Sequence, residues 1–250
     1  MSCRLPILAR DAGCDPPQRS STAVHRRSLD TIPTSWYGAP MDRGTTLQTP
    51  KAKLLDAALA LIREKGYSST SVDELCKQAG VTKGAFFHYF KSKDALAVAA
   101  ANHWSETTGA FFETAPYHKH GDPLDRVLGY LDFRKAILKG EIAEFTCLAG
   151  MMVQEIYGTH PDIREACEAS ISGHAARIEA DIAEAMKRHR IRGPWTAESL
   201  ALHTQAVIQG AFILAKARGS AAIAAASIDH LRRYIELLFQ PARRKTKETS

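Results

Sequence analysis

The chain is poor in the residues that staple, chelate or span. Its five cysteines, Cys3, Cys14, Cys76, Cys147 and Cys167, are odd in number, scattered, and never spaced as C-x-x-C. That pattern argues against a disulfide framework or a structural zinc, and it fits a reducing compartment. No stretch approaches the roughly 20 uninterrupted apolar residues of a membrane-spanning helix. The longest candidate, AVIQGAFILAKA, is broken by Gln209 and closes at Lys216. Near the N-terminus, LPILA is shorter than the apolar core of a secretory signal, so a cytoplasmic protein without membrane contact is expected. A Gly-rich phosphate loop, G-x-S-x-G, H-E-x-x-H and the Glu-x-x-His of di-metal bundles are all missing, so neither an enzyme, a metal nor a cofactor is expected. The ten histidines are dispersed.

What is present is an ordinary globular composition, 45% hydrophobic, with a formal net charge of +6 over 250 residues. That charge suits an anionic partner without choosing among nucleic acid, a phosphorylated ligand and a membrane surface. Residues 1–48 are rich in Pro, Gly, Ser, Thr, Arg and Asp and have no sustained periodicity, which predicts a disordered tail. Met41 is an alternative start; a basic arm bearing Arg26 and Arg27 that reaches a DNA groove is the functional alternative. Residues 241–250 read as a short basic tail.

From Thr49 the chain reads as helix after helix. Thr49-Pro50 is an N-cap followed by a first-turn proline, and the helix it opens is expected to bury Leu54, Ala58, Leu61 and Ile62 before Gly66. SVDE at 71–74 is a capping box. It opens a short helix with Val72, Leu75, Cys76 and Ala79 on one face, ended by Gly80. Thr82 caps a third helix expected to end near Lys91. Two short helices joined by a Gly-containing turn form a helix-turn-helix, whose second helix enters the DNA major groove. In VTKGAFFHYFKSKDAL the rings Phe86 and Phe90 are i and i+4, so they face inward. Lys83, Phe87 and His88 then point outward, with Tyr89 toward the edge.

The stretch AALALIREKGYSSTSVDELCKQAGVTKGAFFHYFKSKDAL resembles the DNA-binding domain of the TetR family of transcriptional repressors. The resemblance implies an all-α protein: an N-terminal three-helix helix-turn-helix domain at 49–94, then a larger helical ligand-binding and dimerisation domain at 95–240. It implies a homodimeric repressor on a palindromic double-stranded DNA operator, released by a small-molecule effector. It also implies base reading by Thr82, Lys83, Gly84 and Ala85, and phosphate contacts from His88, Tyr89 and Lys93, with Ser71 in the DNA-facing set. Lysine suits the guanine O6 and N7 acceptors, and the Ala85 methyl suits thymine. Phe87 departs from the family pattern, which has tyrosine there, so a phosphate hydrogen bond is lost and Phe87 is left to pack on a sugar or a thymine methyl.

The rest of the chain predicts six amphipathic helices, at about 92–114, 122–139, 141–158, 161–190, 196–217 and 221–239. The last two carry wide apolar faces rich in small residues, as a two-fold dimer interface requires; ordinary intrachain core is the alternative. A pocket is expected among Phe111, Phe133, Cys147, Met151, Glu155, His174, His203 and Gln209, although cores share that composition. The apolar run after Cys147 favours an inert thiol. The helix starting at Ser92 is the expected coupling element between pocket and DNA. A constitutive or architectural DNA-binding regulator without a ligand is the other reading. Effector identity and operator sequence are not legible at this level.

Overall fold

A computed structural model describes residues 49–240; the expected N-terminal and C-terminal tails, with Cys3 and Cys14, lie outside them. Helix α1, Pro50–Lys65, begins where the Thr49 hydroxyl accepts from the Ala52 N–H, and ends at Gly66, whose φ of 95° a side chain rarely adopts. α2, Val72–Ala79, carries the full reciprocal capping box of Ser71 and Glu74 and stops at Gly80 in the left-handed region. α3, Lys83–Tyr89, is capped by Thr82 on the Ala85 N–H. It is shorter than expected, because Phe90 is already extended so that its ring can turn back into the core. α4, Lys93–Glu113, follows with Ser92 as cap.

A 3-10 turn at Pro116–Lys119 precedes α5, Pro123–Ala136. The helix expected across 141–158 is two helices, α6 at Ile142–Phe145 and α7 at Leu148–Ile156. The buried Thr146 is extended between them, at φ −86° and ψ 157°, and the Cys147 thiol accepts from the Gly150 N–H as a new N-cap. The apolar periodicity runs through this break, which is why it is invisible in the pattern. α8, Pro161–Arg188, is the long central helix; α9, Ala197–Arg218, and α10, Ala221–Leu238, close the chain.

The three N-terminal helices pack around Leu54, Ala58, Ile62, Leu75, Phe86 and Phe90. Leu61 is only half-buried, whereas Leu55 and Ala57 are buried, because α1 is covered on several sides, by α2, α3, α4, α6 and α7. The same apolar cluster continues through Leu96, Ala100 and Trp104 of α4 to Leu148 and Met152 of α7 and to Ile163 and Cys167 of α8. The boundary expected between residues 94 and 95 therefore falls in the first turn of a helix that belongs to both parts. α8 packs against α4, α5, α7 and α9, and α9 against α10. No helix among the described residues is long and apolar enough to cross a membrane.

Candidate DNA-reading helix and internal cavity

α3 is held from behind and bare in front. Phe86 and Phe90 are buried, while Thr82, Lys83, Gly84, Phe87, His88 and Tyr89 are exposed and Ala85 is half-buried. Phe87 is 56% exposed, its ring edge-on to Phe86 at 5.1 Å, and His88 and Tyr89 meet edge-on at 4.8 Å. Six of the nine residues expected to face DNA thus share one solvent-facing surface, with Ala85 at its margin. Lys83 reaches Asp73 of α2 at 2.6 Å. The pair is exposed, so it orients the ammonium without fastening it, and the hydrogen bond that Lys83 donates to Asp73 raises the Lys83 pKa.

Two expected contacts are otherwise engaged. Ser71 spends both donors on Glu74: its N–H and its hydroxyl each reach Oε2, at 2.9 and 2.8 Å. The Lys93 ammonium points into the protein, donating to the Tyr67 and Thr70 carbonyls at 3.1 Å each and lying 4.1 Å from the centroid of the Tyr67 ring. Its first task is to hold the loop between α1 and α2, which the sequence pattern cannot reveal because those carbonyls are more than 20 residues away.

The same loop is clasped from the other part of the molecule. Glu155, near the end of α7, accepts from the backbone N–H groups of Tyr67 at 2.7 Å and Ser68 at 2.9 Å. Burial pushes its carboxyl up, but those bonds and the Lys93 charge outweigh it, so its pKa is lowered. The Tyr67 hydroxyl donates to Asp94, and Arg63 donates to the Glu144 carbonyl at 2.8 Å. Glu155, expected in a pocket, clasps this loop instead.

Between α4, α5, α7, α8 and α9 lies a cavity of about 30 Å³, room for roughly two water molecules. Trp104, Phe112, Phe145 and Phe212 form its apolar wall, and Arg134, Ser170, His174, Gln205 and Gln209 its polar one, with Cys147 beside them. Of the expected pocket residues, only Cys147, His174 and Gln209 reach it. Phe111 and Phe133 stack behind Phe112, at 5.4 and 5.5 Å. Met151 meets the Lys216 ammonium at 2.8 Å, and His203 sits on the outer face of α9 against Tyr234. These residues lie elsewhere because a helical repeat fixes only a rotation, not which neighbour fills the space. The sequence reading missed Arg134, a buried cation on an otherwise amphipathic helix. Its Nε donates to the Tyr130 hydroxyl at 2.8 Å, and its guanidinium lies 4.4 Å over the Phe112 ring. Burial pushes the Cys167 thiol up to about 12, and no group of three His, Cys, Asp or Glu that could hold a metal ion occurs among the described residues.

Comparison with known proteins decides the family. Residues 54–100 match the model of bacterial regulatory proteins of the tetR family, and residues 123–231 match that of the tetracyclin repressor-like C-terminal domain. The chain belongs to the TetR family. The family is one of bacterial regulatory proteins. Over 55 residues it is 44% identical to the uncharacterised HTH-type regulator YuxN of Bacillus subtilis, covering 22% of this chain and 19% of that one. Over 113 residues it is 31% identical to the transcriptional regulator AcuR of Cereibacter sphaeroides, covering 45% and 52%. The chain thus spans about half or less of these curated relatives. A TetR regulator from Chloroflexus aurantiacus superposes with a TM-score of 0.67 at 26% identity, over 75% of this chain and 94% of that one.

Proposed function

We propose that the protein is a homodimeric repressor that reads a near-palindromic operator with α3 and leaves it when a small molecule enters the cavity. The carrying observation is the juxtaposition within one continuous core. α3 packs against α1 and α2, the loop joining those two helices is gripped by Glu155, and Glu155 stands on the nine-residue α7, whose N-cap Cys147 lines the cavity. A displacement at one end of so short a helix reaches the other. The nine expected DNA residues divide accordingly. Thr82, Lys83, Gly84 and Ala85 read bases, Phe87, His88 and Tyr89 meet the backbone, Ser71 caps α2, and Lys93 braces the loop before it.

Dimerisation rests on the outer face of the last two helices. Leu202, Ile213 and Leu214 of α9 and Tyr234 and Leu237 of α10 are all exposed, between 45% and 63%. Such a cluster of large apolar side chains is the kind of surface a second copy covers, forming a four-helix bundle about a two-fold axis. The partners would then be operator DNA, an effector and a second copy, acting in the cytoplasm.

The small volume of the cavity favours a second reading, a regulator that works without ligand. One experiment separates the two. Footprinting upstream of the protein's own gene defines the operator, and operator release is then followed by fluorescence anisotropy against fractionated cell metabolites. Release by a low-molecular-weight fraction supports the effector reading; unchanged binding with every fraction supports the ligand-free one.

A further inference from the structure

Ser170 and His174 lie one turn apart on α8, and both line the cavity. The hydrogen bonding of His174 is one-sided. Arg134 and the Tyr130 hydroxyl both approach its Nε2, at 2.8 and 3.0 Å. A guanidinium only donates, so Nε2 is the unprotonated nitrogen and the ring proton sits on Nδ1. Burial, then the charges of Arg134 and Arg177, push the imidazole well below its ordinary pKa, which keeps the ring neutral in that tautomer. Nδ1–H has no hydrogen-bond partner among the described residues, and neither do the Ser170 hydroxyl and the Gln209 amide on the same wall. Gln205, one turn before Gln209, donates to Tyr130 at 3.3 Å. Arg134 is engaged with Tyr130, His174 and the Phe112 face, and its charge stands beside this set of donors.

We infer that the cavity receives a small carboxylate, whose two oxygens accept from His174 Nδ1–H, the Ser170 hydroxyl and the Gln209 amide beside the Arg134 charge. Donors held in a low-dielectric site favour an anionic acceptor over a neutral one, because charge-assisted hydrogen bonds are the stronger. Space for roughly two water molecules matches a planar carboxylate better than a tetrahedral phosphate. Phe112, Phe145 and Phe212 supply an apolar wall for a methyl group. This assignment rests on the effector reading above and gives it a chemistry.

The test is calorimetric titration of the full-length protein with acetate, acetamide and ethylamine, followed by operator release with the same three compounds. Acetate is expected to bind at least tenfold more tightly than acetamide, to show no competition from ethylamine, and to release operator. Ser170→Ala, which removes a single oxygen, and His174→Phe, which keeps the ring volume, should each weaken acetate binding by about tenfold, the loss of one hydrogen bond to a charged group. A melting curve identifies an unfolded variant, and Ser170→Ala carries the test if His174→Phe is one. Equal binding of acid and amide, or acetate binding untouched by Ser170→Ala, overturns the carboxylate assignment. If acetate fails to bind while another class of metabolite releases operator, the carboxylate falls and effector release stands. If nothing releases operator, the effector reading itself fails.

Discussion

Lys83 and Lys93 are both basic residues of the reading module, yet their surroundings assign them different work. Lys83 is exposed and tethered only by Asp73, so its ammonium can exchange that carboxylate for a base edge. Lys83→Ala should relax base preference by about 1–3 kcal/mol at one operator position, measured as a change in the affinity ratio between preferred and altered duplexes. Lys93 is committed to two carbonyls of the 66–71 loop. Lys93→Ala should lower the unfolding free energy by about 2 kcal/mol, the scale of hydrogen bonds to a charged group, and weaken all operator sequences together. A variant that kept its melting temperature and lost only salt dependence would return Lys93 to the role of a simple phosphate contact. Phe87→Tyr should tighten operator binding modestly in a gel-shift titration by adding a phosphate hydrogen bond. A loss would assign the exposed Phe87 ring an apolar contact of its own.

At the scale of elements, turn geometry and the α7 clasp carry the structure. Gly80 has a φ of 64° and open space around its missing Cβ, so Gly80→Ala should cost about 1 kcal/mol in chemical denaturation for purely conformational reasons. The clasp is electrostatic as well as steric. Because the folded pKa of Glu155 is lowered from the ordinary 4.5, its contribution is full above that value and is lost as the pH falls through the folded one. Glu155→Gln should therefore destabilise the protein at neutral pH by about 1 kcal/mol, discounted for solvent screening, and flatten the acid side of the stability profile. Denaturation midpoints at a series of pH values measure both effects; an unchanged acid slope would remove Glu155 as a titrating clasp.

For the whole molecule, the proposed dimer rests on the outer face of α9 and α10, and operator affinity would depend on it. Leu237→Glu, at the most exposed of the large apolar positions, should give monomers in sedimentation velocity and weaken operator binding strongly, because one α3 reads too few base pairs alone. If the variant remained dimeric, the interface would lie on another face. Under the effector reading, effector and operator must also disfavour each other by the same factor, about 2.7 kcal/mol for hundredfold release. Calorimetry with and without operator checks that reciprocity, and equal ligand affinities would exclude allosteric release.

Local rules in the sequence determined the helix starts and stops of the reading module, since caps, glycine stops and the i, i+4 pair Phe86 and Phe90 act within a few residues. The family was legible for the same reason: the module is a compact run whose chemistry lies in neighbouring positions. Beyond it, the pattern announced helices but not their partners. The break at Thr146 is decided by burial against distant helices, and so is the turning of Lys93 inward to Tyr67 and Thr70. The convergence of Arg134, Ser170, His174 and Gln209 joins residues of α5, α8 and α9 that are up to 75 positions apart. A period of 3.6 says which side of a helix is apolar, whereas only packing in three dimensions says which other helix, and which donor, that side meets.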